Sequence, residues 1–117
     1  HVSIHCSLLV GGTLAEEVDS GDVAVGLGDR GEVGRDVREQ TQYALERVKM
    51  ILQTAGTSLD NVLTVLTHLT RREDLAAYNE EYANFFPSNK PARTTVEAML
   101  NFPELLVEIT VTACIPE

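Results

Sequence analysis

From Leu106 to Ile115 the chain alternates, with Val107, Ile109, Val111, Ala113 and Ile115 on one set of positions and Leu106, Glu108, Thr110, Thr112 and Cys114 on the other. A period of two puts the two sets on opposite faces of a β-strand, so the run demands a sheet with one face packed and one face polar. The same period recurs from Val2 through Ile4, Cys6, Leu8 and Val10, with His1, Ser3, His5 and Ser7 between them. Val62 to Thr70 is β-branched and apolar throughout, as suits a central strand.

Helices separate these strands. Asp36 is placed as an N-cap, with Glu39 three positions on and an apolar stripe of Val37, Ala44, Leu45, Val48, Ile51, Leu52 and Ala55 behind it. Gly56 should end that helix. Gln40, Thr41 and Arg47 fall on or beside its polar flank, where solvation is the default role. A second helix is expected from about Glu73 to Phe86, its stripe made by Leu75, Tyr78, Tyr82, Phe85 and Phe86, and Pro87 stops it. Ser88-Asn89-Lys90 and Asn101-Phe102-Pro103-Glu104 read as turns. Leu14 to Gly34 is acidic and glycine-rich, and reads as a mobile loop with a short strand at Val23 to Val25. Its Gly26-Leu27-Gly28 lacks the strand-and-helix setting of a dinucleotide-binding loop.

The order is β, loop, α, β, α, β, β: an α+β fold with a mixed sheet. Both helices carry a single stripe and must cover the same sheet face, so the other face calls for a second copy of the chain. At 117 residues the chain is sized for one domain over 1–117. Nine Lys and Arg against eighteen Asp and Glu give a net charge of −9, which repels a polyanion and argues against nucleic acid as a partner. Cys6 and Cys114 stand alone in apolar runs, as buried free thiols of a cytoplasmic protein would. No apolar run approaches the roughly 20 residues a membrane span needs, and no leader is evident. The first residue is His1 rather than Met, so a preceding segment is expected to be missing.

The chemistry concentrates at Pro91 to Leu100, where Arg93, Thr95, Glu97 and Met99 share one strand face and Thr94, Val96, Ala98 and Leu100 the other. Arg93 opens this strand with a permanently charged planar fork that matches a carboxylate. A surface ion pair is the plain alternative for it. His68, inside the Val62 to Thr70 strand, is more simply a core or interface residue than a catalyst. Taken as adjacent strands, Pro91 to Leu100 and Leu106 to Ile115 offer two polar faces as the walls of a cleft.

Gln40-Thr41, Ala44-Leu45, Ala55-Gly56, Asp60-Asn61-Val62, Asp74-Leu75, Asn79, Tyr82, Phe85-Phe86, Pro91 to Glu97 and Val107-Glu108-Ile109 occur in an order that resembles the RidA/YjgF family of reactive intermediate deaminases, also labelled endoribonuclease L-PSP. The resemblance implies a chorismate-mutase-like fold, a homotrimer with ligand clefts between subunits, and a cofactor-free, metal-free hydrolase. It implies that Arg93 grips the carboxylate of a 2-imino or 2-aminoacrylate-type acid while water displaces ammonia to leave a 2-oxo acid. Thr95 stands where the family's deaminases usually have cysteine, and Thr110 where they usually have glutamate. Gly11-Gly12-Thr13 replaces a Ser-Gly-Gln pattern whose backbone lies near the ligand. The substrate-binding set is thus Arg93, Thr95, Gly11 and Gly12, and the water-handling pair is Thr110 with Glu108. A trimeric binder of a small carboxylate, regulatory and without turnover, is the competing reading. Ribonuclease action suits so acidic a chain poorly.

Overall fold

The computed structural model describes residues 2–9, 22–23, 33–88, 90–100 and 103–115, with 2–9, 22–23 and 115 described by their backbone. A five-stranded sheet takes up β1 (Val2–Leu9), β2 (Asp22–Val23), β3 (Val62–Leu69), β4 (Ala92–Glu97) and β5 (Val107–Ile115), in the order β2-β1-β5-β3-β4. β5 runs antiparallel to both β1 and β3, whereas β4 lies parallel to β3 and β2 parallel to β1, so the sheet is mixed. The expected short strand shifts to Asp22–Val23, and the rest of the Leu14 to Gly34 loop lies outside the described residues apart from Val33 and Gly34.

Helix α1 (Val37–Thr54) starts where the cap predicts: Asp36 Oδ1 accepts from the Glu39 backbone N–H at 2.9 Å. Gly56, at φ 89°, takes the left-handed conformation that an L side chain resists. Helix α2 (Leu75–Phe85) begins after a 3₁₀ turn over Arg72–Asp74. Asp74 does not cap it; both its oxygens accept from Arg71, each at 2.9 Å.

Both helices pack on one face of the sheet. Ala44, Leu45, Val48 and Leu52 of α1 and Tyr78, Tyr82 and Phe86 of the α2 stripe meet Val65 and Leu69 of β3 and Val107, Ile109, Val111 and Ala113 of β5 in a single buried cluster. Leu75 departs from the expected stripe. It stands 40% exposed at the start of α2, and Phe85 is half-buried.

Gln40 and Thr41 are not solvated flank residues either, being 1% and 0% exposed. Gln40 donates from Nε2 to Gly34 O at 3.1 Å and Glu104 O at 3.0 Å, and its Oε1 accepts from Leu106 N at 2.8 Å. The side chain satisfies three backbone groups of two loop segments, a reason for a polar residue to be buried. Gly34 fits against it because a Cβ there would stand 2.7 Å from the Gln40 backbone nitrogen.

Candidate functional site

The parallel register of β3 with β4 fixes which way each candidate residue faces. Val65 pairs with Arg93, Thr67 with Thr95 and Leu69 with Glu97. Val65, Thr67 and Leu69 are buried beneath the helices, so Arg93, Thr95 and Glu97 belong to the helix-side row of the edge strand. The antiparallel register of β3 with β5 places His68 opposite Glu108 and Leu66 opposite Thr110, on the uncovered side. β3 therefore separates the two strands read as neighbouring walls of a cleft, and their polar residues lie on opposite faces of the sheet. Within one chain Arg93 and Thr95 come together, Glu108 and Thr110 come together, and the two pairs do not meet. Gly11 and Gly12 lie outside the described residues.

Arg93 lies across two α2 rings, its guanidinium carbon 4.5 Å from the centroid of Tyr82 and 5.5 Å from that of Tyr78. Among the described residues its contacts are these ring faces and the Tyr78 hydroxyl. A cation over aromatic faces is held electrostatically, and N–H groups not used in that hold can still be directed at an anion. Tyr82 in turn stacks on Phe86 at 4.7 Å between centroids, so the platform under the guanidinium is part of the core. Tyr78 shares a hydrogen bond with Thr67 across the α2–β3 contact.

Burial pushes the Tyr82 phenol up to about 12, the neighbouring Tyr78 adding to the rise and Arg93 opposing it. Tyr78 is also raised by burial, with its Thr67 bond and Arg93 drawing it back. Both rings stay neutral near pH 7 and act as donors rather than bases.

Of five buried polar side-chain atoms without a hydrogen-bond partner among the described residues, three belong to α2 and β4, the Thr95 hydroxyl, the Tyr82 hydroxyl and the Asn79 amide oxygen, and the other two are Thr41 Oγ1 and His68 Nδ1. A buried polar atom without a partner costs about 1–3 kcal/mol, so three on one helix–strand seam point to groups meant for a ligand or water. Sequence periodicity assigned Tyr82 to the core, and Asn79 entered only through the family resemblance. The signal available was that Tyr78 and Tyr82 of the aromatic stripe carry hydroxyls.

On the other face His68 Nδ1 lies 3.4 Å from Glu108 Oε1. Burial raises the Glu108 carboxyl above its ordinary value and His68 partly offsets it. Cys114, on the same strand row, is a free thiol, half-buried rather than buried. Cys6 pairs with Val111 and Cys114 with Ser3, so the two cysteines do not face one another in the ladder. None of the described helices is long and apolar enough to cross a membrane.

Residues 9–115 match the family model described as Endoribonuclease L-PSP. A RutC family protein of Pyrococcus horikoshii is 34% identical over 102 residues, covering 87% of this chain and 74% of its own length. A solved YjgF family member from Neisseria meningitidis is 32% identical, with a TM-score of 0.71 over 74% of this chain and 73% of that one. A solved yeast protein only 18% identical reaches a TM-score of 0.77 over 96% of this chain and 99% of its own, which extends the likeness of fold alone. With the mixed sheet, its two helices and Pro91-Ala92-Arg93 at the mouth of the seam, these likenesses establish that the chain belongs to the YjgF/RidA family, the family of the L-PSP model.

Proposed function

We propose that the chain hydrolyses 2-imino acids, the tautomers of 2-aminoacrylate-type enamines, to 2-oxo acids and ammonia. The observation that carries this reading is Arg93: a cation laid over Tyr82, on the same strand row as Thr95, whose buried hydroxyl has no partner among the described residues. A substrate carboxylate takes the fork in a bidentate, charge-assisted pair, which fixes the imine carbon near the seam. Water adds to that carbon and one of its protons passes to nitrogen; the hydroxyl proton of the resulting carbinolamine then follows to nitrogen as the C–N bond breaks, releasing ammonia and leaving the carbonyl. The Thr95 and Tyr82 hydroxyls are suited to orient the water, and an iminium carbon is electrophilic enough that a positioned water suffices without a strong base.

Glu108 and Thr110 join this site only from another copy, because in one chain they line the opposite face. Supporting that arrangement, Leu66 and Val96 stand 38% and 39% exposed on the face no described element covers. As the family resemblance implies, we propose a homotrimer of chorismate-mutase-like subunits with the cleft between neighbours. Thr110, a hydroxyl where the resemblance leads one to expect a carboxylate, favours a second reading, a binder of small carboxylates without turnover.

The deciding measurement is 2-oxo acid formation from 2-iminopropanoate and 2-iminobutanoate, generated in place by an amino acid oxidase. Acceleration that disappears in Arg93→Ala supports the deaminase. An uncatalysed rate from folded protein, with 2-oxobutanoate still bound through Arg93, leaves the binder.

A further inference from the structure

Resting on that reading, we infer that the pocket beyond Thr95 receives the substrate's side chain and selects for a branched aliphatic one. The cavity holds about 270 Å³ and is lined by Leu69, Arg72, Leu75, Thr95, Val96 and Glu97. That is just below the roughly 300 Å³ at which sites for drug-sized ligands begin, so it suits part of a small molecule rather than a cofactor.

Its position follows from the packing of α2 against β4. The Lys90 ammonium, just before β4, reaches the Phe86 carbonyl at the end of α2, whereas Leu75 at the start of α2 shares the cavity with Thr95 and Glu97. Helix and strand therefore run antiparallel, and the seam leads from Tyr82 and Arg93 to Leu75 and Thr95. Arg93 and Thr95 are successive residues of one strand row, roughly 6–7 Å apart along β4. That interval matches the reach of a 2-imino acid from its carboxylate to the end of a short side chain. With the carboxylate on Arg93, the reacting carbon stays on the Arg93 side of Thr95 and a longer side chain passes Thr95 into the cavity.

The lining sets the preference. Leu69 and Leu75 give it aliphatic walls, and Leu75, 40% exposed at the first turn of α2, is a large apolar residue for which the core has no use. At the rim Arg72 is already occupied: its backbone N–H donates to Glu97 Oε2 at 3.2 Å and its guanidinium lies 3.7 Å from Glu97 Oε1. The rim is thereby neutralised and offers no spare cation to an acidic side chain.

The test compares kcat/KM for imines generated from leucine, alanine and glutamate, alongside calorimetric binding of 4-methyl-2-oxopentanoate and pyruvate. The leucine-derived imine is expected to lead the alanine-derived one by about tenfold or more, the scale set by added methylenes in an apolar pocket, and the glutamate-derived one to trail. Leu75→Trp, which fills the cavity, should collapse the leucine-to-alanine ratio at least tenfold, and Leu75→Ala should lower it less. Equal rates for the three imines, or a ratio unmoved in Leu75→Trp, overturn the pocket while Arg93-dependent turnover leaves the deaminase standing. If no imine is turned over, the deaminase fails and the oxo acids decide the pocket. Tighter binding of the branched acid, lost in Leu75→Trp, upholds it; equal binding overturns it.

Discussion

The two faces of this sheet are built from the same strands and end in different conditions. On the helix side Val65 and Leu69 are 2% exposed and Val107, Ile109, Val111 and Ala113 are 0%. One residue along, on the other side, Leu66 is 38% exposed and Val96 39%, while Glu108, Thr110, Thr112 and Cys114 are half-buried. The alternation that makes a strand is thus satisfied by the chain's own helices on one side only. The buried apolar core lies where α1 and α2 sit, and the proposed association uses the face where they do not.

The contrast is sharpest in paired substitutions. Leu52→Ala opens a cavity beneath α1 and should cost about 2–5 kcal/mol, seen as a lower urea midpoint at every protein concentration. Leu66→Asp should instead lower the mass measured by light scattering and make the residual stability independent of concentration. If Leu66→Asp destabilises a monomeric chain as much as Leu52→Ala does, the two faces are not different in kind. Gln40→Leu comes next. It strips partners from Gly34, Glu104 and Leu106, and about 1–3 kcal/mol should be lost by the same measurement. Asp36→Ala removes a cap from the covered side, at about 1 kcal/mol.

The smallest effect belongs to the open face. Burial raises the Glu108 pKa above its ordinary 4.5, so the folded state favours the protonated carboxyl. That contribution is present at low pH and is lost as pH rises through the raised value. Glu108→Gln should therefore flatten the fall in stability between the ordinary carboxylate range and neutrality, and denaturation curves across that interval measure it. A wild-type profile unchanged by the substitution would show that His68 compensates the carboxylate fully.

Local features were legible from residues alone. Asp36, Glu39 and Gly56 bracket α1 because capping is chemistry between near neighbours, the period of two identifies β1 and β5 because successive strand residues face opposite ways, and a β-branched apolar run identifies β3. Gln40 was misread because a helical wheel registers polarity and cannot see that Gly34, Glu104 and Leu106 bring three backbone groups to it. The cleft was misread for a related reason. β4 and β5 follow one another in the chain, yet β3 and β4 form a parallel pair joined through α2, and β5 crosses to the far side of β3. Strand order depends on which edges pair across the whole sheet, and no window of sequence contains that. Arg93 was found by its chemistry, whereas its platform on Tyr82 came only with the packing.

The central place of β5 bears on how the chain assembles. β1 and β3 do not pair with each other; each pairs with β5, the last of the described strands to be synthesised. Before β5 leaves the ribosome, β3, α2 and β4 can gather as one unit, while among the described strands β1 has the two-residue β2 as its other partner. The closing step then joins segments far apart in sequence, from Val2 with Ile115 to Leu9 with Glu108. Long-range closure of this kind is slow and leaves strand edges exposed meanwhile. Nascent chains halted short of β5 are accordingly the form of this protein most in need of a chaperone.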